Sequence, residues 1–386
     1  MSDNLPFEIQ VEIVRRLPVK SLLQCRSVSK AWKSLIDSSP FIAGYNGRMQ
    51  HLLVQYTCVD FKKKYVSIVD DDDFPKQKVS MNLPLLVKKL KSPGLTGSSH
   101  GLLCLNGSGD NPDTDMAVIW NVSIRKAVAV VISNVGFEIY ETNLYETNLG
   151  FGVCRVTTDP KIIKITHFNG YANMRGISRD ETVDPWQVQV FALSTWSWRS
   201  PYNNLPRKSI KFGHSTVVID GFLYWLAIDR FTLTGAITKC NLIISFDITS
   251  EEFREVGLPN SLAHQCSRNM KISKLRESLV VLEHGAEANN AIFSVWMMGD
   301  GVPQLFTKLF TFNVNAPHGA TIRGFRKTGE PIIEIVEDHG ISKLVVYEPH
   351  SKQIDNLGCD GLDFFCQVHP YMETLLLLDQ PDRNIL

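Results

Sequence analysis

Near residue 50 the hydrophobic period of this chain changes. Before it, apolar residues recur at helical spacing; after it, they alternate with a period of two to the end of the chain. In the first stretch Pro6 follows Asn4 and Leu5 at a first-turn position, where the missing N–H has no helical partner to lose, and Ile9, Ile13 and Leu17 follow four residues apart. Pro18 stops that helix. Val19 to Cys25 supplies a second short turn carrying Leu22, and Val28, Ala31, Trp32, Leu35 and Ile36 fall at i, i+3, i+4, i+7 and i+8. The third helix ends near Ser38, Ser39 and Pro40. Three such helices make a unit of about 40 residues, below the size that usually folds without help. Ile13, Leu35 and Ile36 are expected to pack inside it or against the second domain, and the rest of its apolar surface to dock on the remaining chain or on a partner.

Beyond residue 50 one unit recurs: an apolar strand, a variable loop, a strand with an aromatic followed by a polar or acidic residue, a Ser or Thr turn, and a further strand. The aromatics are Trp120, Phe191, Phe246, Trp296 and Tyr347, spaced 71, 55, 50 and 51 residues apart. Kelch-like propeller blades run about 50 residues, and the first interval is lengthened by the loop around 133 to 150. The apolar strands that precede these hairpins start at Gly101, Ile162, Phe222, Ser278 and Pro331. A sixth, Thr374 to Asp379, has no hairpin after it, while His51 to Tyr56 and Tyr65 to Asp70 form a two-strand set without a third. Sharing one unit between the two termini closes a ring of six, which removes open sheet edges; seven blades is the alternative count. The expected fold is therefore a small all-α three-helix module over residues 1–45, followed by an all-β, propeller-like domain over 46–386.

Composition narrows the function. Among 386 residues, 40 Lys plus Arg balance 40 Asp plus Glu, which argues against nucleic acid or an anionic membrane as the partner. With 44% hydrophobic and 21% charged residues the chain buries an ordinary core. No basic and apolar leader opens the sequence and no apolar run approaches the roughly 18 residues of a membrane span, so the cytoplasm and/or nucleus is the expected compartment. Eight cysteines are scattered without a C-x-x-C pair or zinc-finger spacing, and read as reduced, mostly buried thiols.

Leu5-Pro6-Phe7-Glu8-Ile9, Arg16-Leu17-Pro18-Val19-Lys20-Ser21-Leu22 and Val28-Ser29-Lys30-Ala31-Trp32 resemble the F-box, in particular its plant version. The remainder is similar to the plant F-box-associated interaction domain, through Trp120 to Lys126, Gly221 to Ala227 and Ile244 to Phe253, with Val122 where that family commonly has proline. The resemblance implies a non-catalytic substrate-recognition subunit of an SCF-type cullin-RING ubiquitin ligase. Its F-box would bind a Skp-family adaptor, and through it the cullin and RING subunit, and its β domain would hold a target protein whose identity the sequence leaves open. Carried over from the family, the adaptor contacts are Leu5, Pro6, Ile9, Leu17, Pro18, Leu22, Cys25, Val28 and Trp32. No cofactor, nucleic acid or membrane partner is implied. A scaffold that binds the adaptor without degrading a target, and a propeller enzyme with a helical decoration, are the alternatives.

Other signals are weaker. Gly97-Ser98-Ser99-His100-Gly101 fits the G-x-S-x-G pattern, but a strand follows it where a nucleophile elbow needs a helix. The acidic run Asp70 to Asp73 lacks the spaced ligands and glycine of a calcium loop and reads as a solvated turn. Trp196, Trp198 and Trp225 are expected to pack between blades. Target contact is expected from the variable loops 107–116, 133–150, 169–186, 229–241, 284–291 and 313–321, above all from 133–150 and 169–186.

Overall fold

A computed structural model describes residues 5–45, 47, 49–109, 114–132, 145–168, 187–201, 210–233, 236–287, 289–299, 301, 305–362 and 366–380. Four short helices open the chain: α1 (Phe7–Arg15), α2 (Val19–Val28), α3 (Lys30–Ile36) and α4 (Ser39–Gly44). The fourth was expected as the end of the third. Pro40 lies in the first turn of α4, where its missing N–H has no helical acceptor, so it opens a helix there instead of closing one.

Six four-stranded sheets follow, the blades of a six-bladed β-propeller. Blade 1 holds β1 (Gln50–Thr57), β2 (Lys63–Val69) and β3 (Lys78–Ser80). Blade 2 holds β4 (Lys91–Ser99), β5 (Leu102–Ser108), β6 (Asp115–Asn121) and β7 (Lys126–Ile132), and blade 3 holds β8 (Tyr145–Val153), β9 (Pro160–Phe168), β10 (Gln187–Ala192) and β11 (Ser197–Arg199). Blade 4 is β12 (Ile210–Ile219), β13 (Phe222–Leu233), β14 (Ala236–Asp247) and β15 (Phe253–Gly257). Blade 5 is β16 (Met270–Leu275), β17 (Ser278–Glu287), β18 (Asn290–Met298) and β19 (Phe306–Asn315). Blade 6 is β20 (Ala320–Phe325), β21 (Pro331–Val336), β22 (Ile341–Tyr347) and β23 (Ile354–Leu362). The last strand, β24 (Gln367–Met372), joins blade 1 in the order β24, β1, β2, β3.

Both termini thus contribute to one blade, but the C-terminal strand is not Thr374 to Asp379. Val368 and Tyr371 of β24 turn inward on the strand, whereas Leu375, Leu376 and Leu377 are buried in a turn that follows it. Asn121 holds that turn. Its side-chain amide donates to the carbonyls of Thr374 (3.0 Å) and Leu376 (2.7 Å), and its carbonyl accepts from Ser123 N (2.9 Å) and Ile124 N (3.2 Å), so the buried side chain meets its full complement of partners.

The recurring motif has the same physical basis in other blades. Asp247 accepts from Thr249 N (2.8 Å) and Ser250 N (3.3 Å), and Glu348 from Ser351 N: the polar residue after the aromatic ties down the turn between third and fourth strands. Arg125, Trp196, Glu251 and Lys352 occupy corresponding places in these turns with positive φ, a turn requirement repeated blade after blade. Among the motif aromatics Trp120, Phe191, Phe246 and Tyr347 are buried, and Trp296 is half-buried with its N–H on Glu283 (3.1 Å). Trp225 packs in a core formed by blades 3 and 4, as expected, but Trp196 and Trp198 lie against Phe191 of their own blade, because Trp196 sits in a turn and not on the strand.

Residues cluster into two compact units: 1–55 with 64–134 and 368–386, and 56–63 with 135–367. The helices, most of blade 1, blade 2 and the C-terminal segment belong to the first; blades 3 to 6 belong to the second.

Replacing Asn121 with alanine strands two buried carbonyls and two turn amides, at about 1–3 kcal/mol for each buried group left without a partner. The urea midpoint of Asn121→Ala is expected to fall well below the wild-type value with an unchanged m-value; an unchanged midpoint would refute the clamp. Burial pushes the His369 imidazole from 6.5 down to about 4, and its Nε2 has no partner. The unfolded chain therefore takes up the proton first as pH falls. The associated stability is present above about pH 6.5 and drains away toward pH 4, about 2 kcal/mol of it by pH 5. A His369→Phe variant is expected to show a smaller drop in Tm between pH 7 and pH 5; an equal drop would assign the effect to other groups.

Candidate functional site

The helical module has an inside and an outside that differ from the expected stripe. Val14, Val19, Leu22, Ile36, Phe41, Ile42 and Tyr45 are buried. Ile9 and Ile13, one turn apart on α1, face outward with Leu5 and Phe7, and Val28 at the end of α2 is 82% exposed. Leu22, expected at the adaptor contact, belongs to the module's own core, and Ile13, expected inside, belongs to the outer face. Pro6 and Pro18 are exposed at the N-caps of α1 and α2; Leu17, Cys25 and Trp32 are half-buried, and Leu35 half-buried beside the buried Ile36. Phe7 was missed because it falls off the four-residue spacing that singled out Ile9 and Ile13.

Local interactions fix this face. Arg26 holds Asp37 with two hydrogen bonds (the second 3.0 Å), joining α2 to the end of α3, and the Asp37 carboxylate raises the Arg26 pKa. Ser29 caps α3 by accepting from Trp32 N (3.4 Å), and Arg15 lies over the Phe41 ring at 5.6 Å. Tyr45 donates its hydroxyl to Leu17 O (2.9 Å), and burial raises its pKa further out of reach.

The opposite side of the module is anchored by a residue 354 positions away. The helix α2 starts after a proline, with no capping side chain and no acidic residue in its first turn. Glu373 supplies both: its Oε2 accepts from Val19 N at 3.1 Å. Its own carbonyl accepts from Gly47 N at 3.1 Å, and a Cβ on Gly47 would lie 2.5 Å from that carbonyl oxygen, so only glycine fits. No motif pointed to Glu373, since its role exists only after the chain has folded.

In blades 3 to 6 strand direction alternates. Segments joining second to third strands, and fourth strands to the next first strand, emerge at one end of each blade; the short turns occupy the other. The described parts of the expected loops 229–241, 284–291 and 313–321 fall at the first end of their blades, with corrections. Residues 145–150 are part of β8, and the rest of 133–150, with 169–186, lies outside the described residues. Residues 229–233 and 236–241 are strand: β13 and β14 stay paired from Phe222↔Asp247 to Leu233↔Ala236, and beyond Asp229 and Leu242 they run past β12 and β15 as a two-stranded ribbon. Residues 284–287 and 290–291 likewise extend a hairpin, and 313–315 and 320–321 belong to β19 and β20. In 107–116 the strands claim 107, 108, 115 and 116.

The G-x-S-x-G stretch is the β4–β5 hairpin. Ser99 pairs with Leu102 across His100 and Gly101, both at positive φ, which is the geometry of a type I′ turn and joins strand to strand. At the acidic run, Asp71 accepts from Asp73 N (3.0 Å) and Asp73 pairs with Lys76 (3.0 Å), a self-satisfied turn. All eight cysteines are free, five of them buried, and among the described residues no three His, Cys, Asp or Glu side chains come together as a metal site.

Two family models match the chain: the F-box domain over residues 2–43, and the F-box associated beta propeller domain over 95–360, more than half of its length. The chain belongs to the F-box proteins with an associated β-propeller. Relatives are found in Arabidopsis thaliana. An F-box/LRR-repeat protein is 24% identical, the match covering 97% of this chain and 83% of the relative, and the F-box protein CPR1 is 24% identical over 99% and 91%. Among solved structures, a prolyl endopeptidase aligns with a TM-score of 0.39 at 10% identity (95% of this chain, 56% of that one) and an ulvan lyase with 0.39 at 12% (81% and 70%). These enzymes are too remote to bear on what the F-box protein does.

Removing the Glu373 carboxylate leaves the first turn of α2 without its acceptor, a charge-assisted bond of about 1.5–3 kcal/mol. Glu373→Ala is expected to speed hydrogen exchange of the Val19 amide and its α2 neighbours by at least tenfold, with Glu373→Gln intermediate and Gly47→Ala lowering Tm through the backbone clash. Exchange in α2 unchanged by Glu373→Ala would show that the helix does not depend on it.

Proposed function

We propose that this F-box protein is the substrate-recognition subunit of an SCF-type cullin-RING ubiquitin ligase. The observation that carries the reading is the outer face of α1 and α2. Leu5, Phe7, Ile9, Ile13 and Val28 remain exposed on a module whose other side is anchored to its own chain, and such a patch at the start of a soluble domain calls for a protein partner. The partner is a Skp-family adaptor, with Pro6, Leu17, Pro18, Cys25 and Trp32 bordering the contact and Leu22 supporting it from within. Through the adaptor the complex reaches the cullin and the RING subunit, in the cytoplasm and/or nucleus.

The target is held at the loop end of the propeller blades. The subunit itself makes and breaks no covalent bond: it raises the effective concentration of the target beside an activated ubiquitin carrier, so that a bimolecular transfer becomes nearly intramolecular. The balanced charge suits protein partners, and among the described residues no helix is long and apolar enough to cross a membrane.

The test is capture of a purified Skp-family adaptor by the full chain. Ile9→Asp and Val28→Asp each place a charge on an exposed position. They are expected to weaken capture by at least a hundredfold while Tm moves by less than about 1 °C, since exposed substitutions cost little stability. Reconstitution with cullin and RING subunits then separates ligase from scaffold. Loss of ubiquitination of captured proteins in both variants supports the ligase; wild-type capture with no ubiquitin transfer would leave only a scaffold.

A further inference from the structure

The first strands of blades 4, 5 and 6 lie side by side, β16 packing against β12 and β20, and each carries a cation. Of the four cations these strands hold, three are paired within the fold, among them Lys274 of β16 with Glu277 at 2.9 Å. Lys211 on β12 meets Glu146 of β8 at 3.0 Å. Arg323 on β20 donates to Glu334 Oε2 (2.6 Å from Nε), and the other oxygen of this buried carboxylate accepts from Ser342 Oγ at 2.8 Å. The fourth, Lys271 on β16, is exposed and has no hydrogen-bond or ion-pair partner among the described residues, although it stands within electrostatic reach of both Arg323 and Glu334.

A second unpartnered group shares its face. The ladder between β16 and β17 sets Lys271 opposite Leu282 and ends at Met270↔Glu283. Two residues beyond Leu282, on the same side of β17, comes His284, a diagonal neighbour at about 7–8 Å, within reach of a long side chain. Its ring packs on Phe293 at 5.2 Å, and its Nε2 is buried without a hydrogen-bond partner. Burial, and then the charge of Arg323, push the Lys271 ammonium down to about 8 against the opposing pull of Glu334; burial and the Lys271 charge lower His284 in turn. Arg323 and Lys271 face one carboxylate, Glu334, whose two oxygens are already engaged. The cluster has an excess positive charge and a spare donor or acceptor, and what would complete it is an oxygen-bearing anion.

We propose that Lys271, His284 and Arg323 form an oxyanion site at the loop end of blades 5 and 6, which takes a carboxylate or phosphate presented by an acidic segment of the recruited protein. The choice of a protein segment as the source rests on the function proposed above. Lys271 would give the charge, His284 a hydrogen bond, and Arg323 a distributed positive field while keeping its bond to Glu334.

The experiment follows acylation of each lysine by an N-hydroxysuccinimidyl acetate at pH 8, read by peptide mass spectrometry on the full chain incubated with a purified Skp-family adaptor. Inorganic phosphate is expected to slow acylation of Lys271 at least fivefold relative to sodium chloride of equal ionic strength, leaving other lysines unchanged. A deca-glutamate peptide is expected to do the same at lower concentration. Phosphate should also raise Tm of the wild type but not of Lys271→Met. Slowing that is uniform over all lysines, or none at all, would overturn the site; protection by phosphate without protection by the peptide would overturn a protein segment as its source. Adaptor capture is scored on the same samples, so a chain that binds its adaptor yet shows no protection refutes this site alone, and a chain that shows protection without binding its adaptor refutes the ligase reading alone.

Discussion

A helix that begins at a proline, with no capping side chain and no acidic residue in its first turn, must find an acceptor for its leading amides elsewhere. In α2 that acceptor is Glu373, and the consequence reaches well past one hydrogen bond. A three- or four-helix unit of this size has too little surface to bury alone, so its order depends on what it rests on. Here the support is the segment that follows the last strand of the chain. Glu373 binds α2 through its side chain and the start of the connecting segment through its carbonyl, with Gly47 giving the backbones room to meet.

That support is itself held. Asn121, at the turn between the third and fourth strands of blade 2, fixes the carbonyls of Thr374 and Leu376, one and three residues beyond Glu373. A continuous path of hydrogen bonds therefore runs from a blade turn to the C-terminal segment and on to the F-box helices. The Trp120-Asn121 pair, which reads in sequence as a strand ending, has a second duty: beyond its own turn it holds the C-terminal segment, as Asp247 at the same place in blade 4 reaches Arg155 of blade 3 (4.0 Å). The compact unit made by the helices, blades 1 and 2 and the C-terminal segment follows from that path.

How much of this the sequence revealed depended on whether the signal was local. The second and third strands of every blade from 2 to 6 were legible, because buried strands read as apolar runs and the aromatic-polar-turn motif is written within ten residues. The first strands were not: β12 and β16 carry Lys211, Lys271 and Lys274, and a strand on the edge of a sheet, open on one side, has no reason to be uniformly apolar. The shared terminal blade was legible from a count of unpaired strands, but the count selected Thr374 to Asp379 over Gln367 to Met372, since a run of four leucines looks more like a strand than a segment containing Gln367, His369 and Pro370. Along α1 and just beyond it, the regular stripe of Ile9, Ile13 and Leu17 marks an apolar face without saying what covers Ile13. Periodicity shows that a face is apolar; which neighbour covers it is a matter of tertiary structure, and for α1 the inward residue is Val14.

The same distinction between local and long-range requirements separates the two ends of the blades. Turns between third and fourth strands are set by residues two or three positions apart, and their repeated positive-φ positions show one solution used again and again. The other end has no such rule, and there the hairpins differ in length, from the ribbon of β13 and β14 to the short link of blade 5. Lys271 belongs to this second end and to neither of the roles that stabilise a fold. A paired cation such as Arg323 offsets its desolvation by its bond to Glu334, whereas Lys271, exposed on β16, has its pKa lowered by partial burial and by the neighbouring Arg323 charge, with Glu334 opposing. An anion brought by a partner would offset the positive charge that Lys271 and Arg323 share beyond what Glu334 already neutralises.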